Sequence, residues 1–179
     1  MTNKGWEFLI ESPESLQELK YNEGIYLEDV SLDHWMSAFN VVTNVLEDNG
    51  ISYVLKVNGT VYMTYNAEFS IFMEYVADLA DFANRSDLTT YKFDFYEQGI
   101  NYSFELIKAG NNQYTLVFTN LLKETFEPVT VKGCLFNLNL DLYTFFTRFV
   151  FLTGRLCPIV SKNEIYIEWK ADTLSKFRL

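Results

Sequence analysis

One histidine, two cysteines and a set of carboxylates are the residues with which this chain could do chemistry, and their spacing restricts that chemistry sharply. His34 is the sole imidazole, so multi-histidine metal sites are excluded and any Ser-His or Cys-His pair would depend on this one residue. It stands near a predicted helix start, where a histidine is expected to be a surface or capping group. Cys134 and Cys157 lack the CxxC spacing of a redox or metal motif. Lys132 and Arg155 lie two residues from them, but a nucleophilic thiol also needs a base, so both are expected to be buried structural thiols. Glu74, Asp78 and Asp81 recur at helical spacing. Such a stripe could suggest a metal site, yet carboxylates on a surface helix face are usually solvated, and no metal is expected. The glycines of Asn58-Gly59, Gln98-Gly99 and Gly110 sit at turns, and none joins a strand to a helix with the spacing of a phosphate loop. Arg148 and Arg155 read as a polar stripe on a helix. No catalytic residue and no cofactor site is assigned, and the expectation is a protein that is not an enzyme.

Charge is more informative than motif. The net charge is -10, and residues 1–90 carry 15 acidic against 4 basic side chains, whereas residues 91–179 carry 9 against 10. The acidity therefore belongs almost wholly to the first half. Glu7 to Asp33 holds eight acids and one lysine, the densest single-sign stretch. A field of this sign repels nucleic acid and anionic membrane and speeds encounter with a basic partner; it also keeps an aromatic-rich chain soluble. The acids singled out as partner-binding candidates are Glu11, Glu14, Glu18, Glu28, Asp29, Asp33, Glu47 and Asp48.

At 179 residues the chain reads as a single domain, long enough to bury roughly 70% of its unfolded surface. Aromatic residues make up 17% of it, an excess that favours strands. Met1 to Trp6 shows no basic region leading into an apolar run, and no stretch reaches the roughly 18 apolar residues of a membrane span. With two cysteines and no disulfide framework, a cytoplasmic location with reduced thiols is expected.

The elements that would position these residues are clearest from Leu88 to Asn120, where a three-stranded antiparallel meander is predicted. Tyr91, Phe93 and Phe95 alternate with Lys92, Asp94 and Tyr96, and a tight turn at Gln98-Gly99 would set Phe95 against Tyr102, Phe93 against Phe104, Tyr91 against Leu106 and Lys92 against Glu105. Tyr114, Leu116 and Phe118 extend the same aromatic face. Keeping the faces aligned requires an odd loop of three or five residues around Ala109 to Asn112, with Gly110 or an Asn left-handed. A second hairpin, Ile51 to Val57 and Thr60 to Tyr65, turns at Asn58-Gly59 and would pair Val57 with Thr60, Leu55 with Tyr62 and Tyr53 with Thr64.

Around these, Trp6 to Ile10 and Ile25 to Leu27 read as short strands and Leu16 to Lys20 as a brief helix. Ser31 would cap a helix from about Leu32 to Leu46 that Gly50 terminates; Glu47 and Asp48 are unfavourable at a helix C-terminus, so either they contact something or, the preferred reading, the helix ends a turn earlier. Asn66 would cap a helix over Ala67 to Ala83. Pro128 to Lys132 looks extended, Asn139 to Thr153 helical with Gly154 and Pro158 as its stop, Glu164 to Lys170 a last strand, and Ala171 to Phe177 a short helix. The fold expected is α+β: one antiparallel sheet of five or more strands, built from two hairpin units with one extended to a meander, and about three packed helices.

In size, acidity and aromatic content the chain is similar to small cytoplasmic immunity proteins of bacterial toxin systems, a likeness of type that carries over no residue. What it implies is a non-enzymatic inhibitor of a basic protein partner, with the acidic half steering encounter and exposed aromatics anchoring the complex. The alternatives are an adapter or secretion-chaperone-like module that binds an extended peptide, and third an enzyme with a small-molecule pocket.

Overall fold

The computed structural model describes residues 5–12, 32, 34–63, 66–97, 100–110, 112–122 and 126–178. In chain order the elements are β1 (Trp6–Glu11), α1 (Trp35–Asp48), β2 (Ser52–Val57), β3 (Thr60–Met63), α2 (Asn66–Asn84), β4 (Thr90–Glu97), β5 (Ile100–Lys108), β6 (Gln113–Asn120), β7 (Val129–Cys134), α3 (Leu135–Leu156), α4 (Pro158–Ser161) and α5 (Glu164–Lys176). The class is α+β as expected. The single sheet is not: two antiparallel sheets form, ordered β1-β2-β3 and β4-β5-β6-β7, with five helices among the described residues instead of about three. The helix read at Leu16 to Lys20 and the strand at Ile25 to Leu27 lie outside the described residues. The expected start of the next helix at Leu32 under a Ser31 cap is corrected: α1 begins at Trp35, and His34 caps it because its ring nitrogen accepts the Met36 N–H.

The meander keeps its predicted register. Phe93 pairs with Phe104, Phe95 with Tyr102, Tyr91 with Leu106 and Lys92 with Glu105. Beyond β5, Lys108 faces Tyr114 and the Ala109 N–H donates to Gln113 O at 2.9 Å, which leaves an odd, three-residue loop. Gly110 and Asn112 both hold positive φ, at 73° and 60°. Phe93, Phe95, Phe104, Leu106, Leu116 and Phe118 all end up buried on one face, the outcome that period-two alternation dictates.

That face explains why there are two sheets. A large aromatic surface must be covered, and the first sheet covers it with side chains instead of lengthening it at an edge. Trp6 stacks over Phe93 and Phe104, with centroids 6.4 and 6.0 Å away. Tyr62 reaches Phe118 at 4.4 Å and Tyr102 at 6.0 Å. The hairpin that carries Tyr62 differs from the expected one in register. Val57 pairs with Thr60 around the Asn58-Gly59 turn, both residues having positive φ, but the register slips between Leu55 and Lys56, so Leu55 faces Met63 and not Tyr62. The slip makes Tyr62 the extra residue of a bulge between Val61 and Met63. The pairing expected between Tyr53 and Thr64 lies outside the described residues.

Helix α1 runs through Glu47 and Asp48, so the earlier stop does not occur. Burying Val45 and Leu46 is worth about 1.5 to 3 kcal/mol each, more than the roughly 0.3 to 1 kcal/mol that each badly placed acid costs. The chain leaves the helix at Gly50, whose φ of 68° lets Ile51 N–H return to Leu46 O at 2.9 Å. Helix α2 is the hub. It touches α1, α3, α5, β2 and β4, and Phe69, Phe72, Met73, Val76, Leu79, Ala80 and Phe82 are all buried.

Helix α3 is longer than expected at both ends. Gly154 lies within it, and the break comes at Cys157, whose φ of -130° and ψ of 62° lie outside the helical region that a following proline disfavours. The strand expected over Glu164 to Lys170 is instead the first half of α5, which continues through the short helix read after it. Asn163 decides this locally: its Oδ1 accepts from Ile165 N at 3.0 Å and Tyr166 N at 3.3 Å, with Glu164 in the first turn and Lys176 in the last. Tyr166 and Thr173 are buried and Trp169 packs on Phe39, Phe146 and Phe149, a helical and not an alternating spacing.

Candidate functional site

The eight acidic candidates are dispersed by the structure, not gathered. Glu14, Glu18, Glu28, Asp29 and Asp33 lie outside the described residues. Glu11 is exposed at the end of β1, opposite Ser52. Glu47 and Asp48 are exposed in the last turn of α1, a turn with no basic residue.

A different set of acids is brought together by α2 and the strand that follows it. Glu74, Asp78 and Asp81 form the stripe expected on the helix, and the five-residue link Arg85–Thr89 folds the chain back so that β4 runs beside it. The Tyr91 hydroxyl donates to Asp78 Oδ2 at 3.2 Å, and the Tyr75 hydroxyl to the backbone carbonyl of Asp94 at 3.2 Å. Both rings pack on Phe93, at 5.8 and 4.8 Å, so the phenols are anchored in the core while their oxygens border the carboxylates. At one end Arg85 pairs with Asp87 at 2.8 Å and reaches Asp81 at 3.7 Å; at the other Lys92 lies 3.8 Å from Asp94. The result is a half-exposed face where tyrosines and acids alternate.

Its electrostatics follow from burial beside negative charge. Burial raises the Tyr91 phenol far above its ordinary value, and Asp78 adds to the effect; Tyr75 is raised by burial and then by Glu74, Asp94 and Asp78. Both stay protonated and act as donors. Partial burial also raises the Glu74 carboxyl, opposed by the nearby His34.

His34 itself is the N-cap of α1, its Nδ1 accepting from Met36 N–H at 3.2 Å and its ring stacked on Trp35 at 5.3 Å. Accepting that N–H is the capping role anticipated for it. Cys157 is buried, but Cys134 is not: half-exposed at the head of α3, its sulfur accepts from Asn112 Nδ2 at 3.3 Å. Arg148 donates to Ser12 Oγ at 2.6 Å and stands 5.8 Å from the Phe151 ring, a structural placement on α3. Among the described residues no three His, Cys, Asp or Glu side chains converge as metal ligands, and no helix is long and apolar enough to cross a membrane.

Sequence reasoning missed Tyr75, Tyr91 and Asp94 as members of one face. Tyr91 reads as a core residue of the meander and the acid stripe as solvated; the short link between α2 and β4 was the signal that could have joined them. Compared with known proteins, the chain matches no family model, no curated protein and no solved structure.

Proposed function

We propose that this is a non-enzymatic binding protein whose partner is a basic protein, of the kind exemplified by immunity proteins that neutralise bacterial toxins. The observation that carries the reading is the conjunction of an acidic first half with the tyrosine-acid face of α2 and β4. Net charge of -10 supplies long-range attraction. Tyr75 and Tyr91, held in place by Phe93, supply flat amphipathic surface of the type that anchors interfaces, and arginine or lysine of a partner would meet Glu74, Asp78 and Asp81 around them.

The test is kinetic. The protein is mixed with the product of the neighbouring reading frame, and association is followed as a function of salt. Tight binding with an association rate that falls steeply with ionic strength is expected, and Asp78→Asn/Asp81→Asn should slow association several-fold at low salt while leaving dissociation nearly unchanged. A neutral or acidic partner, or a rate indifferent to salt, would overturn the proposal.

A further inference from the structure

Strand β1 is the outer strand of the first sheet, paired with β2 alone among the described residues. The phase of that pairing fixes which of its backbone groups are used. Asn58 N–H donates to Gly5 O at 2.7 Å and Trp6 faces Val57 one step on, so Glu7, Leu9 and Glu11 turn their N–H and C=O towards β2. Trp6, Phe8 and Ile10 turn theirs the other way, a row of donors and acceptors that another strand can pair with. The edge of β4, by contrast, is partly taken, since Asp94 O accepts from the Tyr75 hydroxyl.

A groove of about 410 Å³ runs along the open edge of β1. One wall is residues 7–10, whose side chains alternate between the two faces of the sheet, and no residue of β2 lines it, so it lies beside the strand and not over one face. The other wall is α3, which presents Asp141, Thr144, Phe145 and Arg148. Arg148 reaches across to Ser12 and marks one end. A strand edge on one side and a helix on the other is the setting in which an extended segment adds to a sheet, its main chain bonded to the edge and its side chains read at alternate positions.

Charge says which segment. Glu7 and Asp141 line the groove against one cation, Arg148, and Glu11 stands exposed where β1 ends. Glu7 and Glu11 share a face of β1, four residues apart, with the exposed Leu9 between them. An added strand therefore meets negative charge at two positions of one face, and opposite charges set directly across a strand pair are favourable.

We propose that an extended segment of a partner protein adds antiparallel to β1 in this groove, its main chain bonded to Phe8 and Ile10 and a lysine or arginine at positions i and i+4 opposite Glu11 and Glu7. Other elements build the tyrosine-acid face, and neither proposal depends on the other.

The probe is acetyl-Lys-Val-Thr-Val-Lys-amide, titrated into the full-length ¹⁵N-labelled chain. Before peptide is added, the Glu7 and Leu9 amides should be protected from hydrogen exchange and those of Phe8 and Ile10 should not. The peptide should shift these resonances saturably and slow exchange at Phe8 and Ile10 several-fold. N-methylation of both valines, whose N–H groups would face β1, should weaken binding at least about tenfold, and N-methylation of the threonine, which faces away, far less. Ile10→Pro removes an outward donor and no bond to β2, so it should fold and bind at least about tenfold more weakly; should it not fold, the methylated peptides give the same readout. Protection of Phe8 and Ile10 in the chain alone, whether by a second copy or by another stretch of the same chain, would overturn the assignment. So would no shift at millimolar peptide, equal binding of the doubly methylated peptide, or equal binding of acetyl-Glu-Val-Thr-Val-Glu-amide.

Discussion

Trp6 lies over Phe104 with ring centroids 6.0 Å apart and planes 23° from parallel, and through this pair the two sheets become one core. Trp6 belongs to the edge strand β1. Phe104 is central in the meander, stacked on Phe93 at 4.9 Å and touching Phe118 at 4.9 Å.

Phe104 is fully buried, so Phe104→Ala opens a cavity at the junction of the sheets and should cost about 3 to 5 kcal/mol. Urea unfolding measures it. A loss below about 1 kcal/mol would mean that the sheets do not depend on this contact.

His34→Ala removes the acceptor for Met36 N–H and should lower stability by about 0.5 to 2 kcal/mol, whereas His34→Asn, a good N-cap, should restore most of it. Equal unfolding midpoints for the two variants would refute the capping role.

Glu74 makes stability depend on pH in a defined direction. Because burial raises its folded-state pKa above the ordinary 4.5, the folded chain holds this proton more firmly than the unfolded one. Its contribution is fully present below 4.5 and is lost as pH rises through the higher folded value. Glu74→Gln should therefore be at least as stable as the parent at neutral pH, with the difference shrinking as the pH falls below that range. Parallel pH profiles for the two proteins would contradict this.

Gly133→Ala would drive a Cβ into the Tyr114 ring and should destabilise by about 1 to 3 kcal/mol. In a Tyr114→Ala background the same change should cost much less, giving a coupling energy of about 0.5 kcal/mol or more in a double-mutant cycle. Additive effects would show that the ring is not what the Cβ meets.

Much of the fold was legible because it is written locally. The meander's register follows from alternation and turn residues, and the odd loop with Gly110 and Asn112 left-handed follows from keeping its faces aligned. The candidate site was legible only in part. The stripe of Glu74, Asp78 and Asp81 can be read from helical spacing, but its partners Tyr91 and Asp94 belong to a strand whose position beside α2 is a tertiary fact.

The sequence by itself determined which residues alternate, where the turns fall and how the charge divides between the halves, since each depends on neighbours a few residues apart. Tertiary structure decided what the aromatic face packs against. The meander alone leaves Phe93, Phe104 and Phe118 uncovered, and burial of that surface selects a second sheet laid across it, with Tyr62 packed on Phe118 and Trp6 buried over Phe104. The same competition settled Glu164 to Lys170, where alternation favours a strand but the Asn163 cap and packing of Tyr166 and Trp169 into the helical layer favour α5. Contacts between Tyr62 and Phe118, Trp6 and Phe104, and Phe39 and Trp169 join residues far apart in the chain, and spacing along the sequence does not record which of them will meet.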